Sequence, residues 1–432
     1  MHAFIHSKHS PKSQVPKGLC NCRTISKEVH FKAVLTFISE TSAKNPNTRA
    51  SIFSSVFRYF PRFYGVGLQS TVRKSKKMRA AGITLLCAAS LAPGVYGGND
   101  AFEAYVLRFG RRYASDTERG ARRAVFRHNA LEVGRLNAAR GDAVFEINEF
   151  ADRTPAEFQA VRRMSNAELA RNLATRQAAY GSGVWNRGLN SAAPPHQNWF
   201  LKATTPIRDQ GQCGSCWAFS TVEQVESDWY LSGKSGWATP KELSVQQMVS
   251  CDSKGAYGCG GTNPGGGSGY DFVMQNGGLA SENAYPYVSG KTKSTGACKK
   301  GAPIAGGTIR NYTYAVKPCD LPWNTCDGQD EEALMNYVGT KGPLSICVNA
   351  HVWQFYKSGV MNGATCGAHD AGSLDHCVQL VGYNKTAPQP YWIVRNSWKY
   401  ADGRAWGQDG LIFLAMGNNT CGLANVPSFA EV

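Results

Sequence analysis

The sequence predicts an α+β fold in which a mainly helical lobe is followed by a mainly β lobe, with a separate helical segment ahead of both. Three observations carry that prediction. A polar, glycine-rich loop, Asp209-Gln210-Gly211-Gln212-Cys213-Gly214-Ser215, runs straight into an apolar stretch over roughly 216–231 that reads as a buried helix. From about residue 304 onward the chain turns to alternating apolar runs separated by glycine turns, at 343–348, 378–383, 391–394 and 410–415, the pattern of an antiparallel sheet or barrel. Upstream, Glu118, Arg122, Phe126, Asn129, Val133 and Asn137 recur at steps of three and four, which places them on one stripe of a helix.

Taken in order, the chain begins with a basic extension. Residues 1–77 hold 14 Lys and Arg against 2 acidic residues and show no sustained period, and we expect them to be an over-extended gene model. Met78-Arg79 followed by the short apolar run 80–92, with small residues around Gly97, reads as a secretory signal over 78–97. That run is short for a membrane span, so no stable membrane anchor is expected; a signal-anchor or an organellar presequence are the alternatives. Residues 193–432 hold 17 basic residues against 18 acidic ones, so the formal +16 of the whole chain lies mostly in the extension. Nothing there suggests a basic groove, and no nucleic-acid partner is expected.

Between these parts, 98–192 has no cysteine, and all its basic residues are Arg. Glu118 and Arg122 form an i,i+4 pair of favourable polarity. The Ala/Ser/Gly-rich stretch 181–193 reads as a flexible, cleavable linker. Pro194-Pro195-His196-Gln197-Asn198-Trp199 opens the main domain, whose length suffices to bury a real interior. Within it, 241–252 reads as a second short helix, and 258–269 is too glycine-rich for regular structure.

The chemistry centres on Cys216. A cysteine at a helix N-terminus faces unpaired N–H groups and the dipole, which favour the thiolate, the nucleophilic form. The side-chain amide of Gln210 stands ready to donate to an oxyanion beside it. A structural or redox-active Cys-x-x-Cys pair, Cys213 with Cys216, is the competing reading. A thiol nucleophile also needs a base and an orienting partner. His376, in Leu374-Asp375-His376-Cys377-Val378, leads into one strand-like run, and Asn396, in Val394-Arg395-Asn396-Ser397-Trp398, ends another.

With these four residues in that order, the chain resembles a papain-like cysteine protease of the cathepsin type, over about 102–432. The resemblance implies two lobes with a cleft between them. Gln210 would be the oxyanion donor, Cys216 the nucleophile, His376 the base and Asn396 its orienter, with no metal or organic cofactor; a catalytically inactive papain-like binding homologue is the alternative. Gly260 and Gly261 would form a cleft wall where substrate backbone pairs with loop backbone. Cys347, Leu374, Cys377 and Val426 would line the dominant substrate pocket, whose apolar lining implies a bulky aliphatic or aromatic residue next-but-one before the cut, and Asp375 would also bind substrate. Trp398 would shield the His376–Asn396 bond, Trp406 would line the leaving-group side, and the stretch 399–405 looks lengthened.

The same resemblance covers the upstream segment. The stripe from Glu118 to Asn137 matches the pro-domain helix of cathepsin L-like proteases. Asn148-Glu149-Phe150-Ala151-Asp152 matches a second pro-domain motif, with Glu146 in place of that motif's leading glycine. The stretch after this motif is expected to lie backwards through the cleft as an intramolecular inhibitor. Carboxylates paired with the many Arg residues would let acid release it. For the cysteines, resemblance assigns the bridges Cys213–Cys259, Cys251–Cys298 and Cys366–Cys421. Cys319 and Cys326 bracket an apparent insertion and are expected to pair locally. Cys347 and Cys377 are either bridged or two free thiols serving as small apolar residues. Protein or peptide substrates, a monomeric state, and a lysosomal, acidic-vesicle or extracellular location complete the expectation. Triplets for N-glycosylation at Asn311, Asn384 and Asn418 suit that route.

Overall fold

The computed structural model describes residues 99–139, 141–160, 193–253, 258–261, 269–319 and 326–432. The extension 1–77, the signal segment 78–97, the stretch 161–192 expected to block the cleft, the glycine-loop tip 262–268 and the insertion 320–325 lie outside them.

The upstream segment folds as two helices, α1 (Asn99–Arg108) and α2 (Asp116–Ala138), followed by the two-residue strand β1 (Val144–Phe145) and the short helix α3 (Pro155–Gln159). Helix α2 starts at Ser115, whose hydroxyl caps the N–H of Glu118. The stripe read from sequence divides its work. Phe126, Asn129 and Val133 are buried, and Phe126 packs with Phe102 and Tyr105 of α1. Asn129 donates to the carbonyls of Ala151 and Arg153, and Asn137 exchanges two bonds with the backbone of Phe145. The polar members of the stripe therefore pin the following segment onto the helix. Glu118 turns back to the N–H of Ala114 at 2.6 Å and stands 3.9 Å from Arg122, whose closer partner is Glu157 at 2.7 Å.

The main domain has unlike halves, as expected. The first contains α4 (Cys216–Leu231), α5 (Val245–Cys251), α6 (Gly269–Asn276), the one-turn α7 (Ser289–Thr292) and the small strand pair β3 (Leu279–Ala280) and β4 (Ile304–Gly306). Helix α4 is buried on all sides from Cys216 to Ser227, because it lies between α5 and α6 on one side and the sheet on the other. Despite its apolar reading, it buries many polar groups, each with a partner. Ser220 meets Ser345 and the carbonyl of Val378, and Gln224 donates to the carbonyl of Pro343. Glu223 and Glu226 pair with Arg395 and Arg208.

The second half is built on a sheet of eight strands among the described residues. Its path runs β5 (Asn311–Tyr314), β12 (Ser428–Glu431), β6 (Leu344–Val348), β9 (His376–Asn384), β10 (Tyr391–Arg395), β11 (Leu411–Ala415), β8 (Val360–Met361). Strand β2 (His196–Asn198) pairs with the far end of β9, and only β8 on β11 is parallel. Two features depart from the sequence reading. Strands β6 and β9 are buried along almost their whole length rather than on alternate residues, because both faces of the sheet are covered. A helix, α8 (Glu331–Thr340), interrupts the β half, capped by Asp330. The Asp330-Glu331-Glu332 start is a recognisable helix signal that the run of strands obscured.

The upstream segment docks on this half by backbone. Strand β1 pairs antiparallel with β7 (Tyr356–Ser358), and the N–H of Glu146 continues the ladder to the carbonyl of Phe355. Gly359, at φ +81°, admits that approach, since a Cβ there would fall 1.9 Å from the carbonyl oxygen of Asp142. Glu146, in the place of a glycine, ends the strand and pairs with Lys357 at 2.8 Å.

Candidate active site

Cys216 is the first residue of α4 and is the one cysteine among the described residues outside a disulfide. Cys213, its partner in the redox reading, is bonded to Cys259. The loop before the helix is fixed from several directions. Tyr287 donates to the carbonyl of Gln210 and shares a 2.7 Å bond with Ser215, so one phenol ties the loop to the helix start. Gly211, at φ +58°, packs against Gly290, where a Cβ would meet the Gly290 oxygen at 2.7 Å.

Gln210 is fully buried. Its Oε1 accepts from the Ser397 hydroxyl at 2.8 Å and from the Trp398 indole at 3.1 Å. That leaves the amide nitrogen as the outward group, and in this structure Nε2 donates to the carbonyl of Cys213 at 3.1 Å. The two donors on Oε1 settle which way the amide points.

His376 opens β9, and Asn396 follows β10, the neighbouring strand, so sheet pairing brings them together across 20 residues of sequence. Nε2–H of His376 donates to Oδ1 of Asn396 at 2.8 Å, and that oxygen also accepts from the Ser397 N–H at 2.8 Å. Trp398 stacks on the imidazole with ring centres 4.7 Å apart, covering the bond from above. Sequence reading missed Trp353, which stands perpendicular to the imidazole at 6.1 Å and against Trp398 at 6.4 Å. It sits on a short turn far from either motif, where no local pattern marks it. Trp406, with the pro-segment docked, has no exposed surface and packs against Trp398 and beside Trp353.

Cys347, Leu374, Cys377 and Val426 form one buried apolar cluster, with Tyr314 packed on it. Cys347 and Cys377 face each other on β6 and β9 and are bonded, with Cα atoms 4.0 Å apart. The other bridges are Cys251–Cys298, Cys319–Cys326 and Cys366–Cys421. Asp375, beside Leu374 in the chain, accepts from the Ala350 N–H. Gly260 is exposed beside the Cys213–Cys259 bridge, and Gly261, at φ +96°, is buried. Among the described residues no group of side chains could hold a metal ion, and no helix is long and apolar enough to cross a membrane.

The upstream segment closes over one side of this site. Phe158 packs edge-on against Trp398 at 5.2 Å, and Phe150 lies against Tyr400 at 5.7 Å. Glu149 accepts from the Ala401 N–H at 2.7 Å. Across the same junction Asn148 donates to the carbonyl of Gln354, and the Gln354 amide donates to that of Phe150. The lengthened stretch 399–405 is thus a docking surface for the segment. Asp152 takes two bonds from Arg111 and one from Tyr113. Burial raises the Glu149 carboxyl above its usual range, whereas Arg122 lowers Glu157 to about 2.

Comparison with known proteins agrees with this arrangement. Residues 193–431 match the family model of papain family cysteine proteases, and 102–158 match that of the cathepsin propeptide inhibitor domain. Cysteine proteinase B of Leishmania mexicana is 35% identical over 358 residues, covering 81% of this chain and 73% of that protein. Cathepsin F of Drosophila melanogaster is 32% identical over 339 residues, covering 76% and 50%. Among solved structures, digestive procathepsin L 3 from the larval midgut of Tenebrio molitor superposes with a TM-score of 0.58 at 28% identity, covering 77% of this chain and 98% of that one.

Proposed function

The chain belongs to the papain family of cysteine proteases and carries the propeptide inhibitor domain of the cathepsins, and from that premise we propose how its own residues perform the hydrolysis. Cys216 is the nucleophile, activated by the start of α4 and by His376, which takes its proton through Nδ1 because Nε2 is committed to Asn396. The thiolate attacks the peptide carbonyl. The oxyanion that forms is held by the Cys216 N–H and by the Gln210 amide, whose orientation is fixed by the two donors on its Oε1. The imidazolium, lying under the face of Trp398, then protonates the leaving amine. Water, deprotonated by His376, cleaves the thioester and restores the thiol.

The observation that carries this reading is the pairing of an undisulfided cysteine at a helix start with a histidine whose far nitrogen is fixed by Asn396. The apolar cluster of Cys347, Leu374, Cys377 and Val426 supports endopeptidase cleavage with a bulky apolar residue next-but-one before the cut, since no charge there balances a basic side chain. A monomeric protease made through the secretory route and working in an acidic vesicle or outside the cell suits five disulfides and a self-inhibiting segment.

Alkylation tests the centre. In enzyme freed of its pro-segment, one reagent equivalent should label Cys216 and abolish peptide cleavage, and Cys216→Ala should remove both. Cleavage surviving that substitution would reject the assignment. A peptide library with Arg preferred next-but-one before the cut would reject the pocket.

A further inference from the structure

A pocket of about 370 Å³ lies at the junction of pro-segment and enzyme and shares no residue with the apolar cluster. Its enzyme wall includes Trp398, which stacks on His376, and Asp209, Gly211 and Gln212, the neighbours of Gln210. A peptide whose carbonyl sits between Cys216 and Gln210 and whose amine leaves beside His376 must continue past Trp398 into this space. Three ammonium groups converge there: Lys291 from the one-turn helix α7, Lys293 just after it, and Lys399 directly after Trp398. None of the three has an ion-pair partner among the described residues.

The enzyme's own acid in the pocket, Asp209, feels the Lys399 charge but is one carboxylate against three ammonium groups. Asp209 spends one carboxylate oxygen on the N–H groups of Gly211 and Lys399, at 3.0 and 3.2 Å. The pro-segment does not answer them either. It brings Arg111, already bound to Asp152, and Arg153, whose guanidinium lies over the Phe150 ring and has no carboxylate bonded to it. Its one carboxylate in the pocket, Glu149, is spent on the Ala401 N–H. Once the segment leaves, the enzyme wall carries three positive charges to one negative. The docked Glu149 also shows that an acidic side chain can reach the 399–405 stretch from the cleft.

We propose that Lys291, Lys293 and Lys399 make the leaving-group side of this protease selective for substrates with acidic residues two to three positions after the cut. This rests on the assignment of Cys216 and His376 as the catalytic pair and names the substrate class of that same site. The attraction is a surface one, so salt must weaken it.

The test uses enzyme matured by removal of its pro-segment, with active sites counted by alkylation of Cys216. Peptides share one sequence before the cut and carry Glu, Ala or Lys at the second and third positions after it. The Glu peptides should exceed the Ala peptides in kcat/KM by about tenfold at low ionic strength, with the advantage shrinking in high salt. In the triple variant Lys291→Gln, Lys293→Gln, Lys399→Gln the Glu-to-Ala ratio should fall to near one, and in the triple Lys→Glu variant the order should invert toward the Lys peptides. Should the variant prove unstable, the salt dependence of the native ratio decides the same question. Efficient cleavage of all three peptides at equal rates would overturn the inference while leaving the catalytic reading intact. Cleavage of none of them by alkylatable enzyme would overturn both.

Discussion

Gln210 is held at its backbone by Ser397 and Tyr287 and at its side chain by Ser397, Trp398 and Cys213, with no atom left to solvent. A donor so fixed loses little entropy when an oxyanion forms. Gln210→Ala should therefore lower kcat about 100-fold with KM nearly unchanged, roughly 2.7 kcal/mol of transition-state binding. Steady-state kinetics on one peptide will check it, and a raised KM with kcat unchanged would place Gln210 in ground-state binding instead. At this scale the site was highly legible. Gln210 and Cys216 share one motif, and His376 and Asn396 each begin or end an apolar run, so chemistry and position are written together. Trp353 was not, because only the folded chain brings it beside His376.

Among the elements, the clasp formed by α2 and α3 decides how the pro-segment answers to pH. Glu157 at the start of α3 caps Thr154 and binds Arg122 of α2. With its pKa lowered to about 2, its support is complete above the ordinary carboxylate range and is lost only as pH falls toward that value. Glu149 works with the opposite sign. Burial raises its pKa although the Ala401 N–H favours the charged form, so on balance its support for the docked segment is greatest when it is protonated and weakens as pH rises. The sequence suggested a simple acid trigger from Arg-paired carboxylates; these two groups pull against each other. Glu157→Gln should speed self-processing at neutral pH, and the gap from wild type should close only below about pH 4. Timed release of the pro-segment across that range measures it, and identical rates at neutral pH would reject the clasp. Periodicity revealed α2 and α4 because each is long. It concealed α8, whose cap signal was short, and it could not foresee the polar pairs along α4, which depend on strands that arrive 100 or more residues later.

At the scale of the whole domain, α4 is tied to the C-terminal strand through Asp228, which accepts from the Ala430 N–H at 2.7 Å and from Gln224. Burial raises this carboxyl to about 7. A group shifted upward supports the fold when protonated, so that support is whole at low pH and is lost as pH rises through about 7. The mature domain should then be more stable in mild acid than just above neutrality, and Asp228→Asn should flatten the difference. Thermal unfolding of both proteins in a Cys216→Ala background, from about pH 5 to pH 8, tests this; parallel curves would discount Asp228. The two-lobed architecture was legible from the order of its patterns, helical runs first and β runs after. What those patterns could not supply is the way the halves share a boundary, with α4 lying directly on β9 and β6.

The bond between Cys347 and Cys377 ties β6 to β9 at the residue next to His376. One molecule therefore makes two opposite demands on its surroundings, a reduced Cys216 and an oxidised pair on the strand that carries its base. An added thiol should act first as activator and later as poison. Activity should rise quickly as Cys216 is freed of adventitious oxidation, then decline slowly in strong reductant as the nearly buried bridge opens. The double variant Cys347→Ala, Cys377→Val should keep the fast gain and lose the slow decline. The working life of the enzyme should then depend on the thiol supply around it.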